Sequence, residues 1–411
     1  MANKYKLRIV FFCGMILGWM TTTPLHANEK ESDHCVVYNT KIETRERCPI
    51  PNFDESVKIN ELQFLGSHNS YKRRITPEEE VVYKKWRPQS YTKVTYDHQP
   101  LHQQLNAGVR YLEFDVYRDP DGKRFLSPII ATVTDTPLPE NYKERMAQPG
   151  LKVMHVKDRD YLSHCLTFQE CMSQIKQWSD NSPQHFPLFV VVEVKEWLSQ
   201  PKQIPSHPEH VAELNFDSRA IQAIDQDILN VFPREQIIAP GDLVDGFENL
   251  RAMARAEAWP TLSESWGKVF FLILESKSAV KHGEETVVSR YTDGYGYDDM
   301  LMFPLYRDDR SPHAAFVNLH KKKLSDLRKK IRKYSKRGYM VRARADVDTV
   351  EARQGDRGRW ATVMNEGANI VVTDFIWPHP NFGHDYFVRI NDPGVVARCS
   401  PLRLELCNAA N

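Results

Sequence analysis

No Cys-x-x-Cys pair, no short-period repeat and no low-complexity tract occurs in the 411 residues. The first absence weakens a metal-site reading of the cysteines, and the other two set aside solenoid and linker-like architectures. An excess of one charge is missing as well. Fifty-five Lys and Arg stand against 54 Asp and Glu, a formal net charge of +1, so global charge names no partner. The N-terminal apolar run, Ile9 to Met20, is 12 residues long and too short to span a bilayer comfortably. No glycine-rich phosphate loop follows the first strand-like run, which counts against an open doubly wound sheet.

What is present begins with 41% apolar residues, enough for one large core or two ordinary ones. Lys4, Lys6 and Arg8 precede the Ile9–Met20 run, the order of a secretory signal, with cleavage expected after Ala27 despite the large Leu25. Cys13 follows Phe11 and Phe12 rather than small residues, which argues against lipidation. Loss of residues 1–27 leaves 52 basic against 54 acidic residues, or −2. A lead-in over 28–58 and a catalytic unit with a C-terminal tail over 59–411 are then expected, secreted or periplasmic. Cys35, Cys48, Cys165, Cys171, Cys399 and Cys407 remain, in three close pairs. An even count in an exported chain reads as disulfides, and sequential pairing is one of 15 connectivities.

Short apolar runs recur along the chain: "LQFLG" (62–66), "VRYLEFDVY" (109–117), "LKVMHV" (151–156), "LFVVVEV" (188–194), "QIIAP" (236–240), "VFFLILES" (269–276), "AAFVNL" (314–319), "YMVRARAD" (339–346) and "NIVVTDF" (369–375). Helix-length segments such as Thr167–Asp180 and Asp217–Val231 lie between them. This alternation predicts an α/β protein with a closed, distorted (β/α)8 TIM-type barrel and one run in surplus.

A barrel builds its site at the C-terminal strand ends. There the first run carries His68 and Asn69, the second Glu113 and Asp115 on one face, the third His155, and the fourth Glu193 with Lys195. Each group alone is more often structural, but four successive runs place such groups in corresponding positions. Asn69, Glu113, Asp115 and Glu193 offer oxygen ligands only, the shell of a hard cation such as Ca²⁺ rather than zinc. Two histidines remain for proton transfer or for a phosphate oxyanion.

"GSHNSY", "VRYLEFDVYRDPDG", "VMHV" and "VVVEVK" resemble the catalytic motifs of phosphoinositide-specific phospholipase C, in its bacterial calcium-dependent branch. The likeness covers 60–197, and more weakly 340–375. It implies one Ca²⁺ held by Asn69, Glu113, Asp115 and Glu193, with His68 and His155 as the catalytic pair. His155 is expected as acid/base and His68 as the phosphate contact, and Glu113 or Glu193 as base for the inositol 2-hydroxyl. The implied reaction cleaves phosphatidylinositol to diacylglycerol and inositol phosphate through a cyclic phosphate. Such an enzyme works as a monomer, peripherally on a membrane, with no nucleic-acid partner. A glycerophosphodiester phosphodiesterase is a rival, but that family begins with His-Arg and usually carries His-Asp at the third strand. A silent lipid- or carbohydrate-binding barrel is a second rival, disfavoured by the full set of site residues.

Lys195 and Arg344 are candidate substrate contacts. Arg342, Arg344 and Asp346 share one face of a late strand, so a structural Arg–Asp pair is an equal alternative for Arg344. Trp377 reads as core or rim. The stretch 120–150 is expected to form a loop over the barrel mouth. "KKKLSDLRKKIRKYSKR" (321–337) spaces Leu324, Leu327, Ile331 and Tyr334 as a helical stripe under a basic face that could attract anionic lipid.

Overall fold

A computed structural model describes residues 53–196, 211–274, 285–320, 323–390 and 395–407. Eight parallel strands close on themselves in the order β1 (Leu62–Ser67), β2 (Val109–Asp119), β4 (Leu188–Val194), β5 (Val269–Leu274), β6 (Met302–Tyr306), β7 (Phe316–Leu319), β8 (Met340–Arg344) and β9 (Ile370–Thr373), with β9 returning to β1. Their residues are almost all buried, as strands packed inside by side chains and outside by helices must be.

Seven of the nine apolar runs are barrel strands. "LKVMHV" is not: β3 (Gly150–Val153) is an antiparallel strand paired to the far end of β2, with Val116 opposite Val153 and Asp119 opposite Gly150. "QIIAP" forms only an isolated bridge, Ile237 to Val269, before a short helix. The missed barrel strand is β6, "MFPLY". Pro304 disguises it, because proline has no N–H for a ladder. Pairing with β7 begins only at Leu305, after that proline. A tenth strand, β10 (Ala397–Cys399), runs antiparallel to β1 with Leu62 opposite Cys399.

The helices follow from their caps and stripes. In α1 (Pro77–Trp86) Thr76 accepts from the Glu79 N–H, and proline takes the first helical position. In α2 (Phe168–Asp180) Thr167 and Glu170 form a reciprocal cap, and Phe168, Cys171, Met172, Ile175 and Trp178 turn to the core. Asp217 caps α3 (Ser218–Leu229). The basic stretch forms α4 (Leu324–Ser335), which buries Leu327, Ile331 and Tyr334 and leaves Leu324 37% exposed.

Residues 120–150 are more than a loop. Two short helices, Ile129–Thr134 and Tyr142–Met146, carry Ile130, Tyr142 and Met146 into a second core with Tyr83, Tyr117, Phe125 and Tyr161. Four apolar anchors in that stretch were enough to fold it against α1 and β2. Disulfides join Cys165 to Cys171 and Cys399 to Cys407, as sequential pairing predicts. Cys35, Cys48, the signal segment and most of the 28–58 lead-in lie outside the described residues.

Candidate active site

The site grows from the end of β1. A Cβ on Gly66 would lie 2.8 Å from Tyr111 Cδ1, so only glycine lets β1 approach β2 this closely. The chain then leaves the barrel at His68, whose N–H donates to the Thr373 carbonyl. Asn69 turns it with φ +51°, a conformation asparagine tolerates. Ser70 locks the turn onto β2: its N–H donates to the Glu113 carbonyl, and its hydroxyl accepts from the Glu113 N–H.

His68 Nδ1 lies 2.8 Å from Asp374 Oδ1, and Tyr96 Oη lies 3.2 Å from the same nitrogen. A carboxylate only accepts, so Nδ1 carries the proton and Nε2 is left with its lone pair. That Nε2 sits 3.7 Å from Glu113 Oε1. Burial and the Arg344 guanidinium hold His68 well below the ordinary histidine range, against the pull of Glu113. Arg344 bonds Asp374 Oδ2 and reaches the Asp346 carbonyl at 3.0 Å. Burial and the neighbouring Asp374 push Asp346 up to about 6, against the pull of Arg344.

His155 reaches the site by another route. It follows β3 outside the barrel, and its carbonyl accepts from the Tyr117 hydroxyl at 3.1 Å. Its Nδ1 lies 2.6 Å from Asp160 Oδ2. It is near enough to act electrostatically on His68 and Glu193. Both imidazoles are therefore built alike, with a buried aspartate on Nδ1.

The oxygen donors lie among these groups. β2 and β4 pair in a register that puts Asp115 beside Glu193. Asp115 is fully buried. Lys195 Nζ stands between the pair, 3.0 Å from Asp115 Oδ2 and 2.8 Å from Glu193 Oε1. Burial pushes Asp115 well above the usual carboxylate range despite that ammonium. Burial acts upward on Glu193, but Lys195, with help from His155 and Arg342, holds this carboxyl below its ordinary value. Glu113 Oε2 accepts from the Tyr111 hydroxyl at 2.9 Å and from Arg342 at 2.7 Å. Asn69 gives its Nδ2 to Tyr96 Oη at 2.7 Å, while its buried Oδ1 has no hydrogen-bond partner.

The residues fit a hard cation in their donor chemistry: three carboxyl groups, one amide oxygen without a hydrogen-bond partner, and no sulfur. Among the described residues no three His, Cys, Asp or Glu side chains converge on a common point by themselves. Arg342 and Lys195 supply the compensating charge.

All six predicted catalytic and metal residues gather at this end of the barrel. Of the two expected substrate contacts, Lys195 is 12% exposed within the cluster, and Arg344 is buried with its bonds directed to Asp374 and Asp346. Sequence reading passed over Asp374, Asp160, Tyr96 and Lys72. Asp374 directly follows β9 and lies within the quoted run "NIVVTDF", so reading the last strand end as the first four were read finds it. Asp160 sits in a loop and Tyr96 between elements, where no periodicity marks them.

Residues 57–401 match the family described as phosphoinositide phospholipase C, Ca²⁺-dependent. Among solved structures, the chain is similar to the calcium-dependent phosphoinositol-specific phospholipase C of a Gram-negative Pseudomonas species in its apo form. That pair shares 15% identity at a TM-score of 0.49, over 85% of this chain and 98% of that one. The Ca²⁺-dependent phosphatidylinositol-specific phospholipase C of Streptomyces antibioticus aligns at 16% identity and a TM-score of 0.47, over 77% and 95%. The phosphatidylinositol-specific phospholipase C of Listeria monocytogenes aligns at 13% and 0.40, over 80% and 93%. No curated protein matches the chain. The family match takes in both aspartate-backed histidines and all four oxygen donors, and the chain belongs to the Ca²⁺-dependent phosphoinositide phospholipases C.

Proposed function

We propose that the protein is an exported, monomeric phospholipase C that cleaves phosphatidylinositol in a calcium-dependent reaction at a membrane surface. The observation that carries this reading is the pair of imidazoles, each with Nδ1 on a buried aspartate, beside an all-oxygen donor set. Asn69, Glu113, Asp115 and Glu193 would hold the ion. When bound, Ca²⁺ would supply positive charge against the phosphate oxygens and ease ionisation of the attacking hydroxyl.

The remaining chemistry belongs to the chain. His68 Nε2, with its lone pair free, takes the proton of the inositol 2-hydroxyl as that oxygen bonds to phosphorus. The bond from phosphorus to the diacylglycerol oxygen breaks, and protonated His155 returns a proton to that oxygen. The products are diacylglycerol and an inositol cyclic phosphate. Hydrolysis runs the roles in reverse, with His155 taking a proton from water. This assignment moves His68 from phosphate contact to base. Glu113 is a poorer base because Arg342 and Tyr111 already engage one of its oxygens. Lys195 stays a substrate contact in this reading, whereas Arg344 acts through Asp374. Among the described residues no helix is long and apolar enough to cross a membrane. The two disulfides suit an oxidising compartment.

The test compares headgroup release with and without a chelator. Calcium-dependent release of inositol phosphate and its cyclic form from phosphatidylinositol is expected. Full activity in excess chelator overturns the calcium assignment. Release of glycerol phosphate from deacylated lipid, with phosphatidylinositol untouched, overturns the substrate.

A further inference from the structure

Lys72 follows His68 by four residues and is 1% exposed. A buried ammonium is tolerated only where partners compensate it. Its Nζ donates to the Tyr96 carbonyl at 2.8 Å and lies 3.1 Å from Asp160 Oδ1. It also stands 4.9 Å from the centroid of the Tyr96 ring. These two partners are the ones that touch the histidines. Asp160 holds His155 Nδ1 through its other oxygen at 2.6 Å. Tyr96 Oη meets His68 Nδ1 at 3.2 Å and Asn69 Nδ2 at 2.7 Å. The Lys72 main chain is fixed as well: its carbonyl accepts from the His98 N–H at 3.0 Å, and the residue bridges to Ser163.

We propose that Lys72 is a positioning residue that sets the two imidazoles against each other, holding Asp160 ionised under His155 and Tyr96 in place beside His68. The inference rests on the acid–base reading of that histidine pair. Its physical core is charge. Asp160 is 1% exposed, and burial favours the neutral carboxyl. The ammonium tips the balance to the carboxylate, which can only accept and so fixes the proton on His155 Nδ1. A neutral carboxyl can also donate, and the imidazole is then free to take the other tautomer, with the wrong nitrogen facing the cleft.

The test is nitrogen-15 and proton NMR of the histidine rings together with steady-state kinetics. The parent, measured with His155 in its neutral form, should show one tautomer there, with a strongly deshielded Nδ1 proton. Lys72→Met should lose that signal and lower kcat by roughly 10–100-fold with KM little changed, as expected of a residue that acts through another. Asp160→Asn should do the same, and adding Lys72→Met to it should cost little more. A His155 spectrum unmoved by Lys72→Met overturns the proposal, as do effects of the two substitutions that multiply. If Lys72→Met alone does not fold, the Lys72→Met/Asp160→Asn pair removes both charges together. Its His155 spectrum must then match that of Asp160→Asn, and a mismatch overturns the proposal. The ring signals need no turnover. A tautomer that moves in a protein inactive on phosphatidylinositol would therefore sink the phospholipase reading and leave the role of Lys72 standing.

Discussion

At Lys195 one ammonium stands where the proposed cation would act. It lies within 3.0 Å of both Asp115 and Glu193. Removing one partner of a buried ion pair typically costs about 3–5 kcal/mol. Lys195→Met should therefore melt several degrees below the parent in chelator, because Asp115 and Glu193 lose the ammonium that bridges them. A divalent ion at the same carboxylates replaces that charge, and binding to the folded state raises the melting temperature. The expected outcome is a larger Ca²⁺-induced rise in Lys195→Met than in the parent, read by calorimetry with no substrate present. Equal rises in the two proteins, or none in either, would show that these carboxylates do not hold the ion. At this scale the sequence was informative wherever a polar side chain stood in or just after an apolar run, as at His68, Glu113, Asp115 and Glu193. It was silent at Asp160 and Lys72, whose meaning lies in contacts between loops distant in sequence.

At the scale of elements, α4 shows how topology corrects a composition signal. The helix starts just after β7, at the barrel mouth, and leads back to the start of the parallel β8. Lys329, Lys330 and Lys333 therefore lie down the barrel wall, and Arg328 and Arg332 are drawn to Glu366. A basic residue at an anionic membrane surface contributes about 1 kcal/mol. If these three lysines met lipid, changing all of them to Gln would weaken binding to anionic vesicles more than 100-fold, from about 3 kcal/mol in total. We expect less than a twofold change, measured by vesicle co-sedimentation at low salt. A loss near the larger figure would put this face on the membrane after all. The same tension between pattern and topology runs through the strands. Continuous β-branched and aromatic runs exposed seven of the eight barrel strands. Pro304 hid the eighth, and periodicity could not separate the antiparallel β3 from a barrel strand, because both bury the same residue types.

For the whole molecule, a net charge of +1 leaves little global repulsion, so individual buried groups, some of them outside the site, shape how stability follows pH. Two of them pull in opposite directions. Asp225 on α3 accepts from the Tyr291 hydroxyl at 3.0 Å, and that hydroxyl in turn accepts from the N–H of Leu301 and Met302 at the start of β6. Burial raises the Asp225 carboxyl to about 7 from an ordinary 3.8, against the Tyr291 bond. The folded protein then keeps a proton that the unfolded chain has released. Stability from this group is complete below pH 4 and is lost as pH rises through 7, about 4 kcal/mol in all. His185 lies 2.7 Å from both Ser179 Oγ and the Phe186 carbonyl, and burial lowers it to about 4 from 6.5. Here the unfolded chain takes up a proton that the folded protein refuses. Stability is complete above pH 6.5 and is lost as pH falls through 4, about 3 kcal/mol in all. The two slopes largely cancel between pH 4 and 6.5, so the parent curve alone hides them. Urea unfolding from pH 4 to 8 should separate them by difference. Relative to the parent, Asp225→Asn should gain stability as pH rises from 4 to 8, and His185→Gln should gain as pH falls from 7 to 4. Difference curves that stay flat would mean that neither group holds its charge state against its surroundings, and that carboxylates of the site govern the acid limb instead.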